Sequence, residues 1–459
     1  MCPLSYPIFS RYDRTHQSMS LTHKNVWIHL IFLVLPTMII FAISLWLTIL
    51  WRFPTGLSEE QLQAHVFLFG TIALIWLILS YAFGLFDLKT HKRPIDLFSA
   101  LIGANALGFV VAIVFFYLQP NLIITPRRFL LVDTLYILLF STLWQFFIRS
   151  ITKHITRQEV YFINLEQEYN ACKKELDDMT NIFTVHSVPD SALLTLIEKT
   201  HRAHQSLVFV VPANTSFSDQ TLKLFAHLHS HGATFIRFDD FYEDVFRCVY
   251  TSNLNDWWLL EHTHRDQVGF YPMIKRVLDI LFSLLIASVF LLTFLPIALL
   301  IKLSDRGKIF FTQTRLSVNG TPFTIYKYRT MHAGTPNNTW TSDHDPRVTV
   351  VGRFLRTTRL DELPQWINIL RGDMSLIGPR PEQAGIVEQL RDEIPYFESR
   401  HAIRPGLIGW AQLHVYAGNA TESKRKLQYD LYYLKHRSFL FDMEILLKTI
   451  AHVFFLRGK

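Results

Sequence analysis

Four apolar stretches in the first third of the chain, residues 27 to 51, 66 to 86, 97 to 118 and 129 to 148, each reach about the 20 residues that a helix needs to cross a bilayer. Four such stretches in succession predict a bundle of four transmembrane helices over residues 27–148, preceded by a cytosolic tail, residues 1–26. Trp27, Trp46, Trp51 and Tyr81 fall near the ends of the stretches, where interfacial aromatics and core aromatics of a bundle are both expected. Orientation follows from the basic residues between them. Arg11, Arg14 and Lys24 precede the first stretch, Lys89, Lys92 and Arg93 separate the second from the third, and Arg149, Lys153 and Arg157 follow the fourth. The positive-inside rule places all three groups in the cytoplasm, with Arg127 and Arg128 against the majority. Asp133 is ionisable within a span, which makes it a functional candidate, and a partner of Arg127 or Arg128 on the plainer reading.

The whole composition agrees with a membrane protein carrying soluble parts: half of the 459 residues are hydrophobic and 14% are aromatic, with a mean hydropathy of +0.20. A formal charge of +7 and a pI near 9.2 point to an acidic partner. No zinc-finger spacing or zipper supports nucleic acid, so anionic membrane lipid and phosphorylated substrate lead. Cys2, Cys172 and Cys248 show no CxxC spacing and read as reduced structural residues. No cleavable signal is visible, since the first apolar segment is too long for one and reads as an anchor.

Residues 149–265 turn soluble in character. A charged helical stretch from Glu166 to Asp178 and strand-like runs at Leu207–Val211 and Thr234–Phe238 predict a small cytosolic α/β domain with a spacer or regulatory role. The first run ends in Pro212-Ala213-Asn214 without GxGxxG, which excludes the usual dinucleotide cradle. A fifth apolar run, about residues 277–303, is interrupted by Pro296. Its length permits a span, while a helix broken at Pro296 would enter one leaflet and return to the same side.

The densest chemistry lies between Val351 and Glu382. Arg353, Arg356 and Arg359 recur every three residues, as forked phosphate donors or a solvated basic face would on one side of a helix. Asp361 and Glu362 follow, with Pro364 just beyond them, and this places the acidic pair at a helix N-terminus. Two readings stand there: carboxylates favoured by the helix dipole, or a pair dividing labour between attack on phosphorus and holding Mg²⁺. Adjacent helical positions point about 100° apart, which favours separate roles over a shared proton.

From Tyr271 onward the chain carries, in order, Lys275-Arg276-x-x-Asp279, Phe310-Phe311-x-Gln313-x-Arg315, Tyr326-Lys327-Tyr328-Arg329-Thr330-Met331, Asp345-Pro346-Arg347, the Asp361-Glu362 stretch and Gly378-Pro379-Arg380-Pro381-Glu382. Arg404-Pro405-Gly406, Gly409-Trp410, Gln412 and Lys426 to Tyr433 complete the series. This segment, residues 271–459, resembles the bacterial sugar transferase family, the polyprenyl-phosphate hexose-1-phosphate transferases that initiate exopolysaccharide, capsule and O-antigen assembly. The four N-terminal helices and the intervening domain are similar in architecture to its larger members. The resemblance implies a mainly helical (α+β) catalytic domain on the cytoplasmic side of the bacterial inner membrane, with a re-entrant helix bent at Pro296. It implies that Asp361 attacks the phosphate bearing the sugar of a UDP-sugar, that UMP leaves, and that undecaprenyl phosphate collects the phosphosugar. Glu362 would assist Asp361 at Mg²⁺, and Lys327, Arg356, Arg380 and Arg404 would bind phosphates or substrate. Two departures from the family pattern stand out: Leu295 precedes Pro296 where members often carry serine, and Arg315-Leu316-Ser317 replaces a frequent Arg-Val-Gly turn.

Rival readings differ in what they release or require. A catalytically silent scaffold of polysaccharide assembly would consume no donor, a sugar transferase would release UDP, and a transporter would need more intramembrane polar residues than Asp133. The sugar, the prenyl length and a homodimer through the membrane helices stay open.

Overall fold

The computed structural model describes residues 33–86, 94–117, 127–155, 158–177, 183–189, 207–212, 217–263, 270–332, 334, 345–415 and 420–454. The tail 1–26 and Lys89, Lys92, Arg93 and Arg157 of the orientation argument lie outside these residues, as do the side chains of Arg127, Arg128 and Lys153. Two compact units are present, one of residues Met1–Val210 and Phe217–Phe235, the other of Val211–Ser216 and Ile236–Lys459.

The first unit begins with four long helices: α1 (Leu35–Arg52), α2 (Glu59–Ala82), α3 (Pro94–Tyr117) and α4 (Arg127–Ile155). Their limits are chemical. Pro36 starts α1 at a position where a missing N–H costs nothing. Ser58 and Gln61 form a reciprocal capping box on α2, with Glu59 and Glu60 in its first turn. Trp76, Ile72, Phe69, Phe116 and Phe129 are buried between helices, whereas Trp46, Phe67 and Leu143 are exposed, an apolar outer face suited to lipid. Asp133 is buried and accepts a 2.8 Å hydrogen bond from Ser44 Oγ. Beyond α4, strands β1 (Gln158–Ile163), β2 (Phe183–Val188), β3 (Leu207–Val211) and β4 (Thr234–Arg237) form a sheet of order β2-β1-β3-β4, with α5 (Glu166–Asp177) and α6 (Asp219–Ser230) between strands. β1 pairs in parallel with both neighbours. Its residues Val160 to Ile163 are all buried, as both faces of a parallel strand require.

The second unit opens with α7 (Phe238–Phe246) and α8 (Asp256–Thr263). The end of α7 is fastened to the C-terminal region: Arg247 Nη2 donates to Glu444 at 3.0 Å, and Trp410 Nε1 donates to the Arg247 carbonyl at 3.0 Å. Next comes α9, Phe270–Asp305, one continuous helix of 36 residues. The backbone stays helical through Pro296, so the interruption expected there does not divide α9 into two helices. Proline removes only one backbone donor, and the turns beyond it are held by buried Ile297, Ala298 and Ile301. Among the described residues, α1 to α4 and α9 each contain a stretch long and apolar enough to cross a membrane.

The remainder is β5 (Phe310–Leu316), β6 (Pro322–Tyr328), α10 (Val350–Thr357), a 3-10 segment (Leu360–Gln365), α11 (Trp366–Arg371), β7 (Ser375–Ile377), α12 (Ala384–Glu393), β8 (Gly406–Ile408), α13 (Ala420–His436) and α14 (Phe439–Phe454). The Lys275-Arg276-x-x-Asp279 motif ties α9 to this core. Lys275 pairs with Asp442 at 2.7 Å, Arg276 donates to the last carbonyls of α11, and Asp279 accepts from Ser375 Oγ and Leu376 N.

Candidate active site

The β5–β6 hairpin sets one wall of the site. Its antiparallel register pairs Phe310 with Tyr328, Phe311 with Lys327 and Arg315 with Phe323. Alternation then divides the two strands cleanly. Phe310 and Tyr328 share one face and stack with Phe290 of α9, while Arg315, Ile325 and Lys327 share the other. A slip of one residue would exchange the two faces and send Lys327 into the aromatic cluster.

The acidic pair sits in the first turn of the 3-10 segment that runs into α11. Three residues per 3-10 turn separate neighbouring side chains by about 120°, and the two carboxylates have different surroundings. Glu362 Oε1 accepts from Lys327 Nζ at 3.0 Å and from Arg380 Nη2 at 2.7 Å, with Arg359 Nη1 at 3.8 Å. Asp361 is equally buried, yet its Oδ1 has no hydrogen-bond partner. Burial pushes the Glu362 carboxyl up, but Arg380 and Lys327 overcome it and hold the group well below the usual carboxylate range. Burial, then the neighbouring Glu362, push Asp361 up to about 6 against the pull of Lys327, Arg380 and Arg356. Environments that drive two adjacent carboxylates apart in this way assign them different work.

The arginine row expected on one helical side is divided. The last helical residue of α10 is Thr357, and Arg359 lies beyond it in the left-handed region at φ 58°. Arg353 is exposed. Arg356 is half-buried and donates from Nε to Thr330 Oγ1 at 2.9 Å, on the side where its charge lowers Asp361. Gly352 permits this placement, because a Cβ there would lie 2.0 Å from the Thr330 carbonyl oxygen.

Arg380 arrives through a second close approach. β7 and β8 are parallel, and Gly378 N donates to Ile408 O while Gly406 N donates to Pro379 O. A Cβ on Gly406 would lie 2.1 Å from Gly378 N, so only glycine lets the two motifs meet. Arg404, which starts this return, is exposed and forms no ion pair with Glu362 among the described residues.

Arg315 belongs to a quoted motif and Gln365 lies within the Val351 to Glu382 stretch, yet the sequence alone assigned neither a role. A small cavity beside the acidic pair is lined by Arg315, Ile325, Lys327, Gln365, Arg380 and Gly406, with Pro381 at its edge. Behind it, Glu382 is buried with Lys426 and lies 3.6 Å from Arg400 Nη1, and Arg400 Nη2 lies 2.7 Å from Asp430. This network also braces Arg380, whose carbonyl accepts from Arg400 at 2.9 Å.

Among the described residues, no three of His, Cys, Asp and Glu converge as a metal cage. Magnesium, however, needs only one or two carboxylates when water and substrate phosphate supply the rest, and the unpartnered Asp361 Oδ1 beside Glu362 is such a donor.

Residues 270–456 match the family described as bacterial sugar transferase. Over 203 residues the chain is 42% identical to the UDP-N-acetylgalactosamine-undecaprenyl-phosphate N-acetylgalactosaminephosphotransferase of Aeromonas hydrophila, covering 42% of this chain and 48% of that protein. It is 38% identical over 187 residues to the UDP-glucose:undecaprenyl-phosphate glucose-1-phosphate transferase of Escherichia coli K12, covering 40% of each. An enzyme of the same description from Caulobacter vibrioides is 41% identical over 182 residues, which cover 38% of this chain and 68% of that protein. The chain thus spans less than half the length of the first two relatives.

Proposed function

The chain belongs to the bacterial sugar transferase family, and from that premise we propose that it moves a sugar 1-phosphate from a UDP-sugar to polyprenyl (undecaprenyl) phosphate and releases UMP. The observation that carries this reading is the division within the acidic pair: Glu362 is held by two cations, while the buried Asp361 Oδ1 has no partner. A carboxylate oxygen kept from solvent and from hydrogen bonds is a free nucleophile. In the first step an Asp361 oxygen bonds to the phosphorus bearing the sugar, and the bond to the bridging oxygen breaks with its electron pair leaving on UMP. In the second, a phosphate oxygen of the lipid attacks the same phosphorus, and the Asp361 carboxylate departs. Lys327, Arg356 and Arg380 neutralise phosphate charge, the main demand of phosphoryl transfer, and Arg404 guides substrate from the exposed side. Asp361 and Glu362 would hold Mg²⁺, which when bound withdraws charge from phosphate oxygens.

The membrane placement that goes with this function is four spanning helices in the inner membrane and a catalytic unit on the cytoplasmic face. α9 is read as entering that face and returning to it by a bend at Pro296 within one helix. Its two ends support this, since Lys275 and Arg276 at the start and Asp305 at the finish pair with the catalytic core, the last with Arg329. The test is nucleotide release from purified membranes given polyprenyl phosphate, Mg²⁺ and a panel of UDP-sugars, with Asp361→Asn in parallel. UMP appearing with one sugar and absent in the variant is the expected result. UDP as product would replace the reading with sugar transfer, and no donor consumed would replace it with a silent scaffold.

A further inference from the structure

The catalytic unit begins before the residues that match the family. Residues 270–456 carry the match, yet the unit also holds α7, α8 and the loop between them, residues 238–263. This segment is docked on α13 at several points. Glu243 pairs with Lys435 at 2.7 Å, Val249 N donates to Gln428 O at 3.0 Å, and Leu254 and Trp258 pack on the buried cluster around Leu427 and Leu431. One contact differs in kind. Arg247 closes α7 in the left-handed region at φ 53°, a position that glycine fills at lower cost. The side chain placed there must return more than that cost, and its surroundings show how. The guanidinium lies 4.6 Å from the ring centre of Trp410 and 5.2 Å from that of Phe441, and its Nη2 donates to Glu444 at 3.0 Å. The Arg247 carbonyl accepts the Trp410 indole N–H at 3.0 Å. Backbone and side chain of one residue thus hold both the edge and the face of one indole.

Trp410 is 1% exposed and follows Gly409, where the chain leaves β8. A Cβ on Gly409 would lie 2.4 Å from the Gly378 carbonyl oxygen. Two residues beyond Gly378 stands Arg380, whose guanidinium holds Glu362. The route from Arg247 to the acidic pair is therefore a series of touching parts: the indole, β8, the turn at Gly378 and Arg380. It has little slack, because Gly378 N donates to Ile408 O at 2.9 Å and Gly406 N to Pro379 O at 2.8 Å. We propose that Arg247 is a positioning residue for the Arg380 loop, acting through Trp410, and that residues 238–263 are a strap built into the catalytic unit from outside the matched region. Arg247 touches no substrate in this role. Resting on the transfer reading above, a shift of Arg380 matters most where phosphate charge is redistributed, so the effect falls mainly on kcat rather than on donor binding.

The test uses the purified full chain in detergent with two readouts, the kinetics of UMP release and amide hydrogen exchange at Gly378 and Gly406. Arg247→Gly removes the side chain and leaves a residue suited to φ 53°. The other contacts of the strap stay and Glu444 keeps Lys448 at 2.8 Å, so the variant folds. It is expected to lower kcat about tenfold with KM for the UDP-sugar within about twofold, and to speed exchange at both glycines about tenfold. Arg247→Lys keeps a charge over the indole without the fork and falls between that variant and the parent. A purely structural brace predicts otherwise: a lower melting temperature, faster exchange confined to residues 238–263 and α14, and parental kcat below the melting temperature. That pattern, or faster exchange at the glycines with kcat unchanged, overturns the proposal. A parent that releases no UMP sinks the transfer reading alone, since exchange at Gly378 and Gly406 still decides whether Arg247 holds the loop.

Discussion

Two buried clusters of charge lie within one catalytic unit, and they are built on opposite plans. Around Glu382, Lys426, Arg400 and Asp430 bring two cations to two carboxylates, all nearly sealed from solvent. Around Asp361 and Glu362, cations outnumber carboxylates, Asp361 makes no ion pair within 4 Å among the described residues, and a cavity adjoins the cations. The first arrangement recovers the cost of burying charge and holds the segment that carries Arg380. The second leaves part of that cost uncompensated, as sites kept for a ligand do. Burial of ionisable groups therefore does not by itself single out the candidate site; a buried carboxylate without an ion pair, close to a cavity lined by cations, does.

The contrast can be broken most directly at its two acids. Asp361→Asn is expected to lower UMP release at least about a thousandfold while membrane insertion stays intact, and normal turnover would remove Asp361 as nucleophile. Glu382→Gln is expected to cost about 3–5 kcal/mol of stability by leaving Lys426 and Arg400 buried without their partner; a melting curve unchanged from the parent would show that cluster to be dispensable. Asp361→Asn should move stability the other way. Because the folded value of Asp361, about 6, lies above its ordinary 3.8, ionisation opposes folding increasingly as pH rises from the lower value through the higher. The variant's gain in melting temperature should accordingly be larger at pH 8 than at pH 4, and a gain independent of pH would contradict the assignment. Turnover of the parent should fall about tenfold for each pH unit below 6 as the nucleophile takes up its proton, with Glu362 still ionised there. The smallest effect is expected at Arg353: its exposed side chain can be replaced by alanine with less than about a twofold change in rate, whereas Arg356→Ala lowers it more, and equal losses would restore the arginine row.

Much of the molecule could be read along the chain. The long apolar helices α1 to α4 follow from apolar length, and α5 and β3 from local pattern. The strands β1 and β2 escaped, because Gln158–Ile163 and Phe183–Val188 mix polar and apolar residues. Pro296 was expected to interrupt a helix that packing carries through it. The arginine spacing counted as a helical face ended two residues short, since α10 stops before Arg359 and the left-handed turn there sends the last side chain elsewhere.

By itself the sequence determined the long apolar segments, the order of the motifs and the presence of two adjacent carboxylates among arginines, because length, hydropathy and short spacing are local properties. Only the tertiary structure decided which carboxylate is tied and which is free. Lys327 reaches Glu362 across 35 residues and Arg380 across 18, through a hairpin register and a glycine-to-glycine approach that no local pattern encodes. Nor does composition reveal that Arg315 and Gln365 share one cavity. Electrostatic interactions in a buried site depend on distance and desolvation, and both are properties of the folded chain.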